Sequence, residues 1–345
     1  MSNKGKSPGT QVQNALASGT RGAEFRYFLA SNRGTVWTNT KSAWTFAPLT
    51  TMRGKCLILL LISVCLTGVA PAADPVPPAA AALHMRLTFD ESFHGPLSWC
   101  SEVCNGQRWR TKFFHSGDTP LSRGLGMSGA DVILVDPGYL GLGINPFSIA
   151  DGTLTIEVRP ASQRLKDAVH AAYPPWWHSQ YVPRFTAGHL SSEKSFLQRY
   201  GYFEAKIKIP DVPGTWPAFW LFSRAGSADE IDVMEVLGGR PTQQHIGHNW
   251  GTGGEKHSAG TMIDGPDLSK AFHVFGVLWT KGTVTYYRDD VEIAHFSNPG
   301  LHAPMYILAG IGMDGTWNEE QSFRAPDDAR ADMAIQWIRA YGMPD

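Results

Sequence analysis

Net charge is nearly absent from this chain: 30 Lys and Arg stand against 31 Asp and Glu, a formal −1 at pH 7. That balance gives nothing to draw the protein to nucleic acid or an anionic membrane, and neither is expected as a stable partner. Cysteine is scarce. Of the four present, Cys56 and Cys65 lie near the start, and Cys100 and Cys104 stand beside Trp99. Their count and spacing do not make a zinc site. Cys100 and Cys104 are either a small local disulfide, given an oxidising compartment, or two separate thiols. Long helical periodicity is missing, as are internal repeats, a P-loop and a Ser-centred nucleophile elbow. Gly124-Leu-Gly126-Met-Ser-Gly129 matches the dinucleotide fingerprint in letters only. No strand precedes it and no helix follows, so it reads as a loop. The apolar run Cys56–Val69 falls short of the ~20 residues a membrane span needs.

What is plentiful is apolar and aromatic surface. A chain with 43% apolar and 18% charged residues is globular rather than disordered. Twelve tryptophans are enough to fill a core and still leave flat walls for a sugar-binding cleft. Residues 52–72 hold Arg53 and Lys55, then the apolar run, then Ala70-Pro71-Ala72. Those are the three parts of a secretory signal peptide, so a secreted or periplasmic protein is expected. Translation is expected to start at Met52, with 1–51 an upstream misassigned or disordered segment. Residues 73–83, rich in Pro and Ala, are expected to be a linker, and 84–345 the folded domain.

Within 84–345 the pattern is strand-like. Alternation runs through Thr153–Val158 and through Tyr202–Ile209, where Phe203, Ala205, Ile207 and Ile209 oppose Glu204, Lys206 and Lys208. His273–Trp279, Thr283–Arg288, Val291–Phe296, Met305–Ala309 and Met333–Tyr341 look similar, with a hairpin turn at Arg288-Asp289-Asp290. Many short strands broken by Gly and Pro predict an all-β antiparallel sandwich. Two longer stretches, 160–186 and 251–270, read as irregular loops. The first carries Trp176, Trp177 and His178.

The chemistry sits in Glu230-Ile231-Asp232-Val233-Met234-Glu235. On a strand Glu230 and Asp232 share a face, but Glu235 falls on the other, because its offset from Glu230 is odd. One residue bulged out near Val233 or Met234 would return all three acids to one face. Two carboxyls brought to about 5–5.5 Å on one surface equip a retaining glycosidase. Gly214-Thr-Trp216-Pro-Ala-Phe-Trp220 precedes the acids and supplies aromatic walls; His248-Asn249-Trp250 follows and is expected to bring an imidazole and an indole beside them. Trp176 is a candidate for a further wall. His245 and His248 have a spacing that suits metal binding on a helix better than on a strand, so no metal is assigned to them.

In this order the motifs G-Y-F-E-A, G-T-W-P-A-F-W, E-I-D-V-M-E, H-N-W, F-H-V-F-G-V-L-W and I-Q-W-I-R-A-Y resemble glycoside hydrolase family 16 across essentially all of 84–345. The resemblance implies a concanavalin-like jelly roll with a concave cleft, cutting internal β-linkages. It implies Glu230 as nucleophile, Glu235 as general acid/base and Asp232 as helper beside the nucleophile. It places Trp216, Trp220 and His248 in or near the cleft. The structural calcium of many members is doubtful here, because Gln336 stands where they have an Asp, and no cofactor is expected. The expected activity is a secreted retaining endo-β-glycanase, a monomer acting on a β-glucan or bacterial exopolysaccharide. A non-catalytic carbohydrate-binding jelly roll and a transglycosylase are the competing readings.

Overall fold

The computed structural model describes residues 76–113, 119, 122–124, 131–173, 182–223, 229–251, 255–298, 300–314 and 324–344. These all belong to the unit Ala70–Asp345. The expected leader and Trp176 lie outside the described residues.

The strands in chain order are β1 Arg86–Glu91, β2 Trp99–Cys100, β3 Trp109–Arg110, β4 Val132–Leu134, β5 Phe147–Ala150, β6 Thr153–Pro160, β7 Phe185–Ala187, β8 His189–Ser191 and β9 Gly201–Lys208. They continue with β10 Thr215–Ser223, β11 Glu230–Glu235, β12 Gln243–Trp250, β13 His257–Asp264, β14 His273–Trp279, β15 Thr283–Arg288, β16 Val291–Ser297, β17 Met305–Met313 and β18 Ala331–Gly342. One sheet has the order β16-β15-β14-β9-β18-β6-β7-β4, with β1 and β5 attached to β18 and β6; the other runs β13-β12-β11-β10-β17-β8-β3-β2. Pairing is antiparallel except for β2 with β3 and β4 with β7. The result is the expected jelly-roll sandwich.

Alternation drives the assembly. Phe203, Ala205, Ile207, Phe275 and Val277 from the first sheet meet Phe219, Leu221, Ile231, Ile246 and Ile307 from the second in one core, all of them sealed from solvent. Period-2 side chains of both sheets interdigitate there, as a face-to-face sandwich requires. The β15–β16 hairpin turns through Asp289 and Asp290, with φ of 52° and 64°. Two consecutive left-handed residues suit the twist of a tight hairpin, and Asp tolerates that region.

The structure adds detail to two readings and corrects two others. Within 73–83, α1, Pro78–Ala82, is a short helix, and Ala80 packs with Met85, Tyr202 and Tyr341 on the outer side of the first sheet. Glu204, on the face opposite Phe203, is buried there and accepts a hydrogen bond from the Tyr341 hydroxyl. In the supposed loop 160–186, residues Gln163–Ala172 form helix α2, N-capped by the Ser162 hydroxyl, which accepts from the Leu165 N–H. Only Leu165 and Val169 of α2 are buried, a stripe too narrow to announce a helix. In the supposed loop 251–270, β13 forms the edge of the second sheet, with no buried residue to reveal its period. Cys100 and Cys104 are joined as a disulfide.

Candidate active site

Strand β10 alternates without a break. Thr215, Pro217, Phe219, Leu221 and Ser223 are buried, and Trp216, Ala218, Trp220 and Phe222 between them are partly open. The even-numbered side chains therefore look out of the sandwich, into a groove on the second sheet.

Its neighbour β11 breaks the rule. Its register with β10 passes from Trp220↔Asp232 to Phe219↔Met234. Its register with β12 passes from Asp232↔Gly247 to Glu235↔His245. In each pairing β11 spends one residue more than its neighbour, the signature of a β-bulge at Val233–Met234. Both bulge residues are sealed in the core. Glu235 thereby regains the parity of Glu230 and Asp232. All three acids line one groove with Trp216, Ala218 and Trp220.

The neighbours of the acids fix them. The Trp216 indole N–H donates to Glu235 Oε1 at 2.9 Å, and His245 Nδ1 lies 2.8 Å from Oε2. The Asn249 amide donates to Glu230 Oε1 at 3.1 Å. Burial and the charge of Glu235 push Glu230 up to about 7, against the opposing hydrogen bonds of Asp232 and Asn249. Asp232 is raised well above the ordinary carboxylate range by burial and by the charges of Glu235 and Glu230. Asp232 therefore keeps its proton and donates it in the hydrogen bond to Glu230. Gly247 stands across from Asp232 on β12.

The family profile described as Glycosyl hydrolases family 16 matches residues 154–339, more than half of the chain, including every acid of the groove. The chain belongs to glycosyl hydrolases family 16. Among curated relatives of this family 16 chain, it is 32% identical to endo-1,3-1,4-beta-glycanase ExsH of Rhizobium meliloti (strain 1021) over 68% of its own length and 48% of the relative's. It is 35% identical to endo-1,3-1,4-beta-glycanase EglC of the same organism, over 58% and 40%. The chain thus spans less than half the length of these two relatives. The catalytic domain of an endo-1,3-beta-glucanase (laminarinase) from Thermotoga petrophila RKU-1 superposes with a TM-score of 0.57 at 19% identity, covering 76% of this chain and 99% of that one, a likeness of fold.

Two sequence candidates of this family 16 chain leave the groove. His248 and Trp250 were expected beside the acids, but β12 sets Asn249 directly across from Glu230, and cross-strand partners share a face. His248 and Trp250, one residue to either side, therefore point into the sandwich. His248 is 1% exposed; the Tyr286 hydroxyl donates to the Gly247 carbonyl and accepts from His248 Nδ1. Burial lowers His248 to about 4, so it stays neutral. Trp250 packs on the core edge and stacks on His257. The residues of β12 that do reach the acids are His245 and Asn249. Finding Asn249 needed the cross-strand register, and finding His245 needed the β11 bulge as well. His245 and His248 point to opposite faces and cannot share a metal. Among the described residues no three His, Cys, Asp or Glu converge as a metal site needs, and Gln336 offers only a half-buried amide.

Proposed function

We propose that this chain is a retaining endo-β-glycanase that hydrolyses internal bonds of a neutral β-linked glucan or exopolysaccharide. One observation carries the reading: a single bulge lines up Glu230, Asp232 and Glu235 on the floor of a groove walled by Trp216 and Trp220. A binding module has no use for three desolvated acids at the bottom of its cleft. The relatives ExsH and EglC, both endo-1,3-1,4-beta-glycanases, support the β-glycan class.

The reaction follows from the partners of each acid. Ionised Glu230 attacks the anomeric carbon and forms a glycosyl ester as the bond to the leaving oxygen breaks. Glu235 gives that oxygen its proton. The aglycone half departs. Water then enters, Glu235 takes its proton, and the hydroxide oxygen displaces Glu230 from the same carbon. Two inversions leave the configuration unchanged. Asp232 stabilises the ionised nucleophile by donating to it. Trp216 and Trp220 present apolar faces to the rings. Export completes the reading, supported by the leader-like residues 52–72 and the Cys100–Cys104 disulfide.

The test is a panel of β-glucans and exopolysaccharides scored for new reducing ends, product size and first-formed anomer. Falling chain length with the β-anomer first is the expected result. The α-anomer first would exclude double displacement, and products longer than the substrate would make the chain a transglycosylase.

His245 gives a second check. His245→Ala removes one of the two partners of Glu235 and is expected to lower kcat about tenfold to a hundredfold, the worth of a hydrogen bond to a charged group. Substrate affinity, measured separately, should barely move. A change in affinity with kcat intact would make His245 a binding residue instead.

A further inference from the structure

The groove does not stop at the acids. From β11 the sheet continues through β10 and β17 to β8, three strand steps or roughly 14 Å at ~4.8 Å each. Ala218 on β10 and Gly310 and Gly312 on β17 line it along the way, so no bulky side chain interrupts the floor. At the far side stands His189 on β8, directly across from Gly310. A Cβ at position 310 would lie 2.6 Å from His189 Nδ1, so glycine at 310 is what lets the imidazole occupy the floor.

His189 is 3% exposed, and among the described residues its Nε2 has no hydrogen-bond partner. A buried polar atom without a partner is rare enough to require an explanation. The surroundings supply one. Phe113 lies against the imidazole with ring centroids 4.5 Å apart, and it also meets Trp220 at 6.1 Å. An aromatic border therefore runs from the strand of Trp216 and Trp220 to His189. Among the described residues no Lys, Arg, Asp or Glu shares this end of the lining, which Val132 and Leu134 close. Burial alone pulls His189 down to about 3, so the imidazole is uncharged at any working pH.

We propose that His189 and Phe113 form a distal subsite for a neutral sugar of the bound glycan, the imidazole bonding one hydroxyl and the phenyl ring covering an apolar face. The inference rests on the glycanase reading for the nature of the chain in the groove. A sugar hydroxyl both donates and accepts, so it satisfies the imidazole in either tautomer. A uronate or sulfated sugar does not belong there, because its charge would lose water and gain no counterion. At ~14 Å from the acid strand, His189 cannot touch the bond being cut. It sets how long a chain must be to bind well.

The experiment uses the full chain carrying Glu230→Gln, titrated calorimetrically with neutral β-glucan oligosaccharides of increasing length. Affinity is expected to step up once the chain reaches β8. His189→Ala in that background should remove the step, weakening long oligosaccharides about fivefold to tenfold and leaving short ones unchanged. His189→Gln, which keeps a donor and an acceptor, should restore part of it. A β-linked uronan series should show no step. Equal weakening at all lengths with a lower melting temperature would reduce His189 to a structural residue, and no change at any length would remove the subsite. Hydrolysis of the same neutral series by the chain with Glu230 intact is scored in parallel. Absence of cleavage there counts against the glycanase reading, while the binding step still decides the subsite.

Discussion

Glu230→Ala is expected to lower kcat on a β-glucan by about 10⁴-fold or more, the scale seen when a covalent nucleophile is removed. The hole left in the groove admits a small anion. Azide should then restore turnover by attacking the anomeric carbon where Glu230 did, with Glu235 still protonating the leaving oxygen, and the product is the α-glycosyl azide. Wild-type rates in the Ala variant would end the assignment. The neutral variant Glu230→Gln carries a further expectation. Folded, Glu230 keeps its proton up to about 7; unfolded, it loses it near 4.5. Between those values the unfolded chain binds fewer protons, so stability falls as pH rises across the window. Above pH 7 the penalty is complete, at most about 3 kcal/mol, and smaller because the carboxyl is partly open to the groove. Glu230→Gln should melt higher than the parent at pH 8 and no higher at pH 4. Equal melting temperatures at pH 8 would mean that the nucleophile is not destabilising. The first step needs Glu230 ionised, so kcat/KM should fall on the acid side as Glu230 takes up its proton.

Glu235→Ala is expected to cost about 10²- to 10⁴-fold in kcat on a polysaccharide, whose leaving oxygen needs a proton. An aryl glycoside with an acidic phenol needs none, so its first step should run near the parental rate and the glycosyl ester should accumulate. Azide then attacks that ester from the opposite side and gives the β-glycosyl azide. Opposite azide anomers from the two alanine variants would separate nucleophile from acid/base by product analysis alone. The same anomer from both would mean that the roles are misassigned.

The sequence shows the acids clearly for a physical reason. E-x-D-x-x-E in a β-branched run is inconsistent with a regular strand that keeps its acids together, and the conflict itself points to the bulge found at Val233–Met234. Trp216 and Trp220 are legible because β10 alternates strictly. The next strand is harder. Choosing between His245 and His248 requires knowing which residue of β12 faces Glu230, and a slip of one residue exchanges the two faces. Sequence reading favoured His248 and Trp250, and the register gave His245 and Asn249. His189 carries no mark at all: β8 is three residues long, all buried, and its partner across the sheet lies over a hundred residues away in sequence. β13 and α2 escaped notice because a strand open on both sides and a helix burying two residues leave almost no hydrophobic period.

Trp216 lines the groove and donates a hydrogen bond to Glu235, so on the proposed reading it is sugar platform and donor at once. Reshaping this wall to accept a different polymer also perturbs the proton donor, so substrate range and turnover cannot drift independently. A smaller or differently angled ring at 216 would be selected on both counts together. Variation in what the enzyme eats is thus channelled away from this position, toward parts of the cleft that hold sugar without holding an acid.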